Sequence, residues 1–265
     1  MNAPGTMPLL DVDGLRVVFP TRREPVRAVN GVSFTVAAGE TVALVGESGC
    51  GKSVTALALT RLVPPPGLVT GGSARLNGAD LLAMTPARLR AVRGASLAYV
   101  FQEPSCIPWM TMIQDVTLGL EVRKVKRELA MSRGREVIDL VGLRGFEDYY
   151  PWQISGGMKQ RVAIARAYAP NPDLLIMDEP FGHLDAQTRY LMQAEIMRIW
   201  EQDKKTVVFI TNNIEEAVYL ASRILVLSKL PATIRAEHII DLPRPRDLTD
   251  AEFLKVRSVV TEECE

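Results

Sequence analysis

Cysteine is scarce in this chain: three among 265 residues, Cys50, Cys106 and Cys264, far apart and odd in number. None sits in a Cys-x-x-Cys pair, so neither a disulfide framework nor a zinc site is expected, as in a reduced, cytosolic chain. No stretch approaches about 18 uninterrupted apolar residues, so no segment is expected to span a membrane. The opening residues Met1-Asn2-Ala3-Pro4-Gly5-Thr6 lack the basic segment and apolar run of a signal peptide. Any membrane role must therefore come through a partner. A surplus of charge is missing too, with 31 Lys and Arg against 31 Asp and Glu. A protein devoted to a polyanion carries a basic excess, so no nucleic-acid partner is expected, although a local basic patch is compatible with the total. There is no internal repeat.

What is present is globular material, 47% hydrophobic and 23% charged, enough for a sizeable core in one large domain or two small ones. Its most informative stretch is Gly46-Glu47-Ser48-Gly49-Cys50-Gly51-Lys52-Ser53, which fits the phosphate-binding pattern G-x-x-x-x-G-K-[ST]. Thr41 to Val45 before it is short, apolar and β-branched, as a buried strand should be. Val54 to Leu59 after it reads as helix. The order strand, glycine loop, helix turns a pattern into a site. Gly46, Gly49 and Gly51 let the backbone curl until successive N–H groups face inward. The helix N-terminus adds partial positive charge. Lys52 can reach the β- and γ-phosphates, and the Ser53 hydroxyl can ligate Mg²⁺.

Before this loop, strands are expected over Leu9–Phe19 and Val29–Val36, separated by a polar loop from Pro20 to Arg27. After the first helix, Pro64-Pro65-Pro66-Gly67 forces an extended linker. Gly71 to Leu76 then reads as a strand closing on an Asn77-Gly78 hairpin turn. Leu97 to Phe101 is another short buried strand. The pattern from Pro104 to Lys126 is less regular, and apolar spacing over Ser132–Val141 predicts a helix, so about Glu103–Tyr150 is taken as a helical insertion. Beyond it a helix runs from Gly156 to about Ala167. Strands at Leu174–Met177, Thr206–Ile210 and Ile224–Leu227 alternate with helices at Ala186–Asp203 and Ile214–Ala221, the signature of a parallel sheet with crossover helices. The tail from Leu242 is proline-spaced and ends in one short helix.

Three further stretches carry chemistry. Leu174 to Met177 ends in Asp178-Glu179. A phosphate loop that handles ATP needs a second acid near Mg²⁺, and a neighbouring strand end is where it can sit. Asp178 would hold the metal's hydration shell and Glu179 would polarise the attacking water as general base. Gln102, at the end of its strand, can ligate Mg²⁺ or position water through its side-chain carbonyl, or simply be an exposed strand-end residue. Ser155-Gly156-Gly157 at a helix start forms a second phosphate-binding geometry, or an ordinary cap with Ser155 as the cap residue. One nucleotide does not easily need both anion sites from one subunit.

Taken in order, Gly46 to Ser53, Gln102, Ile154-Ser155-Gly156-Gly157-Met158-Lys159-Gln160-Arg161, Leu174 to Glu179 and Leu184-Asp185 resemble the ATP-binding subunit of an ABC transporter. The resemblance covers about Leu9 to Arg246, and Ile154 to Ala167 resembles the family's signature motif and its helix. It implies an α/β fold: a P-loop ATPase core with a mostly parallel sheet, an N-terminal antiparallel β subdomain and a helical insertion. The ATPase domain would span 8–240, with 103–150 and the signature helix to 167 as helical subdomain, and 241–265 as a short tail. It implies a head-to-tail dimer in which ATP lies between one subunit's phosphate loop and the other's signature residues, which resolves the two anion sites. ATP and Mg²⁺ would be held by Gly46, Glu47, Ser48, Gly49, Cys50, Gly51, Lys52, Ser53, Gln102 and Asp178, with Ser155, Gly156, Gly157 and Asp185 completing the nucleotide site. Glu179, Gln102 and the residue at 212 would serve hydrolysis. Phe19 would stack on adenine, although a buried core phenylalanine is the competing reading.

Two positions depart from the family pattern. Where the family has a Thr-His-Asp setting, this chain has Thr211-Asn212-Asn213, so the switch histidine is replaced by Asn212. Asparagine can donate a hydrogen bond to a γ-phosphate oxygen but cannot carry a proton, so slower hydrolysis at this chain's own site is expected. His183 stands where a small residue usually precedes Leu184-Asp185, and no catalytic role is assigned to it. The N-terminal half resembles the oligopeptide/dipeptide importer branch. The segments from Phe101 to Thr111, from Met177 to Arg189 and from Asp241 to Arg246 resemble the nitrate/sulfonate/taurine importer branch, which covers more of the chain. The resemblance implies a peripheral place on the cytoplasmic face of the cell membrane. Its partners would be a second ATP-binding subunit, identical or different, membrane permease subunits docking near 104–120, and a periplasmic or lipid-anchored solute-binding protein. Ile107, Trp109, Met110 and Met112 are expected to expose apolar surface for that docking, or to pack within the insertion. A DNA-repair or translation ATPase of the same family would carry zinc cysteine pairs, a long coiled coil or two ATPase domains, and none is present in the sequence. An exporter, or a degenerate regulatory subunit of a heterodimer, remains open, and the solute is not encoded here.

Overall fold

The computed structural model describes residues 7–182 and 184–264; residues 1–6 and His183, read in the sequence, lie outside the described residues. The first elements are β1 (Leu10–Phe19), β2 (Val26–Val36), β3 (Thr41–Val45), α1 (Lys52–Leu59), β4 (Leu68–Leu76), β5 (Ala79–Asp80) and α2 (Pro86–Val92). Then follow β6 (Leu97–Val100), α3 (Met112–Val122), α4 (Arg127–Leu140), α5 (Gly156–Tyr168), β7 (Leu174–Asp178) and α6 (Ala186–Asp203). The last are β8 (Thr206–Ile210), α7 (Ile214–Leu220), β9 (Arg223–Leu227), β10 (Ile234–Ile239) and α8 (Ala251–Cys264). The backbone divides into two compact units, one up to Leu89 and again from Lys204, the other Arg90–Asp203.

In the first unit, β1 lies between β2 and β4 in an antiparallel sheet of order β2-β1-β4-β5. Val12 sits opposite Phe34 on one side and Ala74 on the other, so one face of the sheet is apolar. The same unit contains the strand order β10-β9-β3-β8. There β3 runs parallel to both neighbours, with Val42 opposite Val208 and Arg223. Every residue of β3 and β8 is buried. Parallel strands covered on both faces need a continuous apolar run rather than alternation, which is what their sequences have. α8 packs on α7, β9 and β10, inserting Phe253 and Val260 at 1% and 0% exposure.

In the second unit, β6 pairs in parallel with β7, Leu97 opposite Leu174 and Val100 opposite Met177. Helices α3, α4 and α5 pack together. Gly134 of α4 allows the close approach to α3, since a Cβ there would lie 2.5 Å from Thr117 Cγ2 and 2.7 Å from Ile113 Cδ1.

Three differences from the sequence reading have simple causes. The stretch read as irregular after Pro104 contains α3, whose buried Met112, Val116 and Leu120 recur at helical spacing. Its start carries a capping box, with the Thr111 N–H donating to Gln114 Oε1 at 2.9 Å. Met112 is therefore fully buried rather than exposed, because its spacing with Val116 turns it into the helix core. α2 and β10 were not anticipated. β10 alternates half-buried and exposed residues along an antiparallel partner of β9, a period-two signal in a short segment.

Candidate active site

The loop from Gly46 to Ser53 connects β3 to α1. Gly51 is the N-cap of α1, with φ 104° and no side chain to satisfy the first helical amides. A Cβ at Gly51 would meet the Ala28 carbonyl oxygen at 2.6 Å and Ala232 Cβ at 3.0 Å, so only glycine fits. The helix therefore begins with its amide donors answered by no cap, which suits an anion. Lys52 is buried at 4% exposure. Its Nζ donates to the carbonyls of Gly46 at 2.8 Å and Glu47 at 2.7 Å, holding the ammonium inside the loop it belongs to. The Glu47 carboxylate is engaged by Lys229 at 2.8 Å. Cys50 is buried, with its sulfur packed beside Gly46. The side chains of Cys50 and Glu47 are thus engaged within the protein. The donor set fits a polyphosphate: loop and helix amides, one ammonium and the Ser53 hydroxyl.

In the second unit, Asp178 ends β7 at 6% exposure and accepts a hydrogen bond from the Tyr99 hydroxyl at 3.1 Å. Burial, then the Asp178 charge, raises the Tyr99 hydroxyl far above its ordinary pKa, so it remains a donor. Glu179 follows with φ 42°, a left-handed conformation that turns the chain sharply off the strand. Gln102 Nε2 donates to Glu179 Oε2 at 3.0 Å. Engaging the amide nitrogen still allows the Gln102 carbonyl oxygen to accept, a donor type that could ligate a hard cation. Among the described residues no three His, Cys, Asp or Glu side chains gather as a metal cage. That donor chemistry suits Mg²⁺ carried with phosphates and held by few protein ligands. Tyr99 went unread in the sequence, hidden among the apolar residues of its strand.

The remaining predicted residues fall as follows. Ser155 is the N-cap of α5 and accepts from the Met158 N–H at 3.2 Å, so the ordinary cap is present, with Gly156 beside it open to surrounding space. A Cβ on Gly157 would lie 3.1 Å from Leu184 Cδ2. Asp185 accepts from the Thr188 N–H at 3.0 Å, and that bond together with the Thr188 side chain lowers its carboxyl pKa. Phe19 is half-buried at the end of β1, with its ring against the backbone of Gly67. Asn212 is exposed in the short connection between β8 and α7.

Beside α3 lies a groove of 770 Å³ whose lining includes Trp109, Met110, Ile113, Val125, Met131 and Asp148. Trp109 is 75% exposed. The loop carrying it is tied to α5 and α3 through Arg166. Its guanidinium donates to the Ser105 carbonyl and to Asp115 Oδ1 at 2.8 Å, and Asp115 Oδ2 accepts from the Ile107 N–H at 3.3 Å. Asp115 is 0% exposed. Neither residue was singled out in the sequence, since nothing local joins positions so far apart.

Comparison with known proteins bears on this arrangement. The chain matches the family described as ABC transporter over residues 29–182. It is 40% identical over 251 residues to an uncharacterized ABC transporter ATP-binding protein of Methanocaldococcus jannaschii, covering 95% of this chain and 89% of that one. It is 41% identical over 228 residues to a taurine import ATP-binding protein of Burkholderia pseudomallei, covering 86% and 83%. Its fold is similar to the dimeric post-hydrolysis state of the ATP-binding cassette MJ0796 bound to ADP and Pi, with a TM-score of 0.78 and 28% identity over 88% of this chain and 100% of that chain.

Proposed function

Because the chain belongs to the ABC transporter family, we propose that it is the ATP-binding and hydrolysing subunit of an importer of the nitrate/sulfonate/taurine branch. Members of that family are ATPases that take Mg²⁺ with their ATP. The observation that carries the reading is the phosphate loop, where a buried lysine and an uncapped helix start present only donors.

In this proposal Gly46 to Ser53 cradle the phosphates, and Ser53, Asp178 and the Gln102 carbonyl hold Mg²⁺. The metal supplies charge neutralisation for the β- and γ-phosphate oxygens. Glu179 orients and polarises the attacking water. Phe19 contacts the adenine. Ser155, Gly156, Gly157 and Asp185 act on the nucleotide bound by a second ATP-binding subunit, and the reverse, in a head-to-tail dimer. The taurine import relative supports import as the direction. Permease subunits dock in the groove near 104–120, at the cytoplasmic face of the membrane, and a periplasmic or lipid-anchored binding protein delivers the solute. ATP binding closes the dimer and moves the grooves, and hydrolysis resets them. No helix of the described residues is long and apolar enough to cross a membrane, so this reading requires the permease as anchor.

Asn212 favours a second reading, a slow or regulatory subunit paired with a different ATPase subunit. Purification with its membrane partner separates the two: one kind of ATPase subunit in the complex supports a homodimer, two kinds support the regulatory reading. A chain that binds no ATP, or that brings down no integral membrane protein, defeats the proposal.

A further inference from the structure

Helix α7 is separated from Asn212 by one residue, its N-cap Asn213, and the chain beyond Leu242 holds both of its ends. Arg246 is 7% exposed. Its Nη1 donates to the carbonyls of Val218 at 2.6 Å, Tyr219 at 3.2 Å and Ala221 at 2.6 Å. Its Nη2 and Nε reach the carbonyls of Ile240 at 3.2 Å and Leu242 at 3.3 Å. Arg244 Nη2 donates to the Leu220 carbonyl at 2.6 Å. The last carbonyls of a helix have no intrahelical partner and carry partial negative charge, and here two guanidinium groups answer them.

At the other end, Arg257 of α8 pairs with Glu215 in the first turn of α7 at 2.8 Å. That turn is locked to the end of β8. The Asn213 side chain accepts from the Glu216 N–H at 3.2 Å. Thr211 Oγ1 accepts from the Asn213 N–H at 3.0 Å and donates to Glu216 Oε2 at 3.3 Å. Asn212 is the exposed residue between these two anchored neighbours. A helix of seven residues has little stability of its own, so its placement depends on what grips its ends.

From this bracket we infer that Arg244, Arg246 and Arg257 are positioning residues: through α7 they hold the Asn212 side chain in its place for the nucleotide. The inference rests on the proposed role of Asn212 at the γ-phosphate. It gives the tail from Leu242 a part in the ATPase cycle, where a packing role alone would give it only a part in stability.

The test uses the complex purified with its membrane partner. Glu215→Arg opposes Arg257 at a pair whose side chains are 26% and 41% exposed, so the fold tolerates it. Turnover of ATP falls about threefold with KM for ATP unchanged, as the loss of one partly exposed ion pair predicts. Glu215→Arg combined with Arg257→Glu restores it. In an Asn212→Ala background, Glu215→Arg causes no further loss, because the bracket acts through the residue already removed. An equal loss in that background means the bracket contributes stability only, and overturns the inference. If Asn212→Ala leaves turnover unchanged, the role of Asn212 falls and the inference with it. If Asn212→Ala lowers turnover but Glu215→Arg does not, the inference alone falls.

Discussion

The side-chain amide of Gln102 donates to Glu179 Oε2 across 3.0 Å, linking the second residue after β6 to the first after β7. The bond occupies one carboxylate oxygen, Oε2. It also turns the amide so that its carbonyl is directed away from the carboxylate, as a cation ligand requires. Glu179 itself has a φ of 42°, in the left-handed region.

Glu179→Gln keeps the size and the hydrogen bonding of the side chain but removes its basicity. ATP turnover is expected to fall roughly a hundredfold or more, while ATP still binds. Phosphate release and nucleotide binding measure the two separately. Loss of binding along with turnover would mean that Glu179 holds the nucleotide and is not the base.

Asn212→His is expected to raise turnover, because an imidazole can carry a proton and a charge that an amide cannot. The rate of phosphate release from the assembled complex measures this. An unchanged or lower rate would show that the amide already serves this site as well as histidine.

Gly51→Ala forces a Cβ to within 2.6 Å of the Ala28 carbonyl oxygen at a φ of 104°. A loss of about 1–3 kcal/mol in folding stability is expected, together with loss of ATP binding. Gly49→Ala, at φ 79° with nothing within 4 Å, meets no such clash and costs about 1 kcal/mol. Thermal unfolding of the two variants compares them, and equal costs would show that the Ala28 contact is not limiting.

Arg166→Met would leave the carboxylate of Asp115 at 0% exposure without its cation. Such a broken buried pair costs about 3–5 kcal/mol. Denaturant unfolding reads the loss. Arg166→Met with Asp115→Asn removes both charges and should recover most of it.

The phosphate loop was legible because its chemistry is local. Glycines, lysine and serine at fixed spacing between an apolar strand and a helix are enough to predict a curled backbone rich in donors. The same holds for the parallel strands, whose unbroken apolar runs record burial on both faces. α3 was harder to read. Pro108, Trp109 and the methionines around it obscured a helical spacing, and Met112 was expected at the surface although it packs inward. The groove beside it was anticipated through Trp109 and Met110, but its lining from α4, Val125 and Asp148 was not, because those residues meet only in space.

By itself the sequence determined the glycine loop with its Lys52 and Ser53, the paired carboxylates at a strand end, the serine and two glycines at a helix start, and the asparagine at 212. Tertiary structure decided what holds these groups in place. Tyr99 reaches Asp178 from 79 positions away, Arg166 reaches Asp115 across 51, and Arg246 reaches the end of α7 across 28. Short-range patterns encode which groups can do chemistry. Their orientation depends on long-range contacts that no local spacing records, since burial and hydrogen bonding act on distance in space and not along the chain.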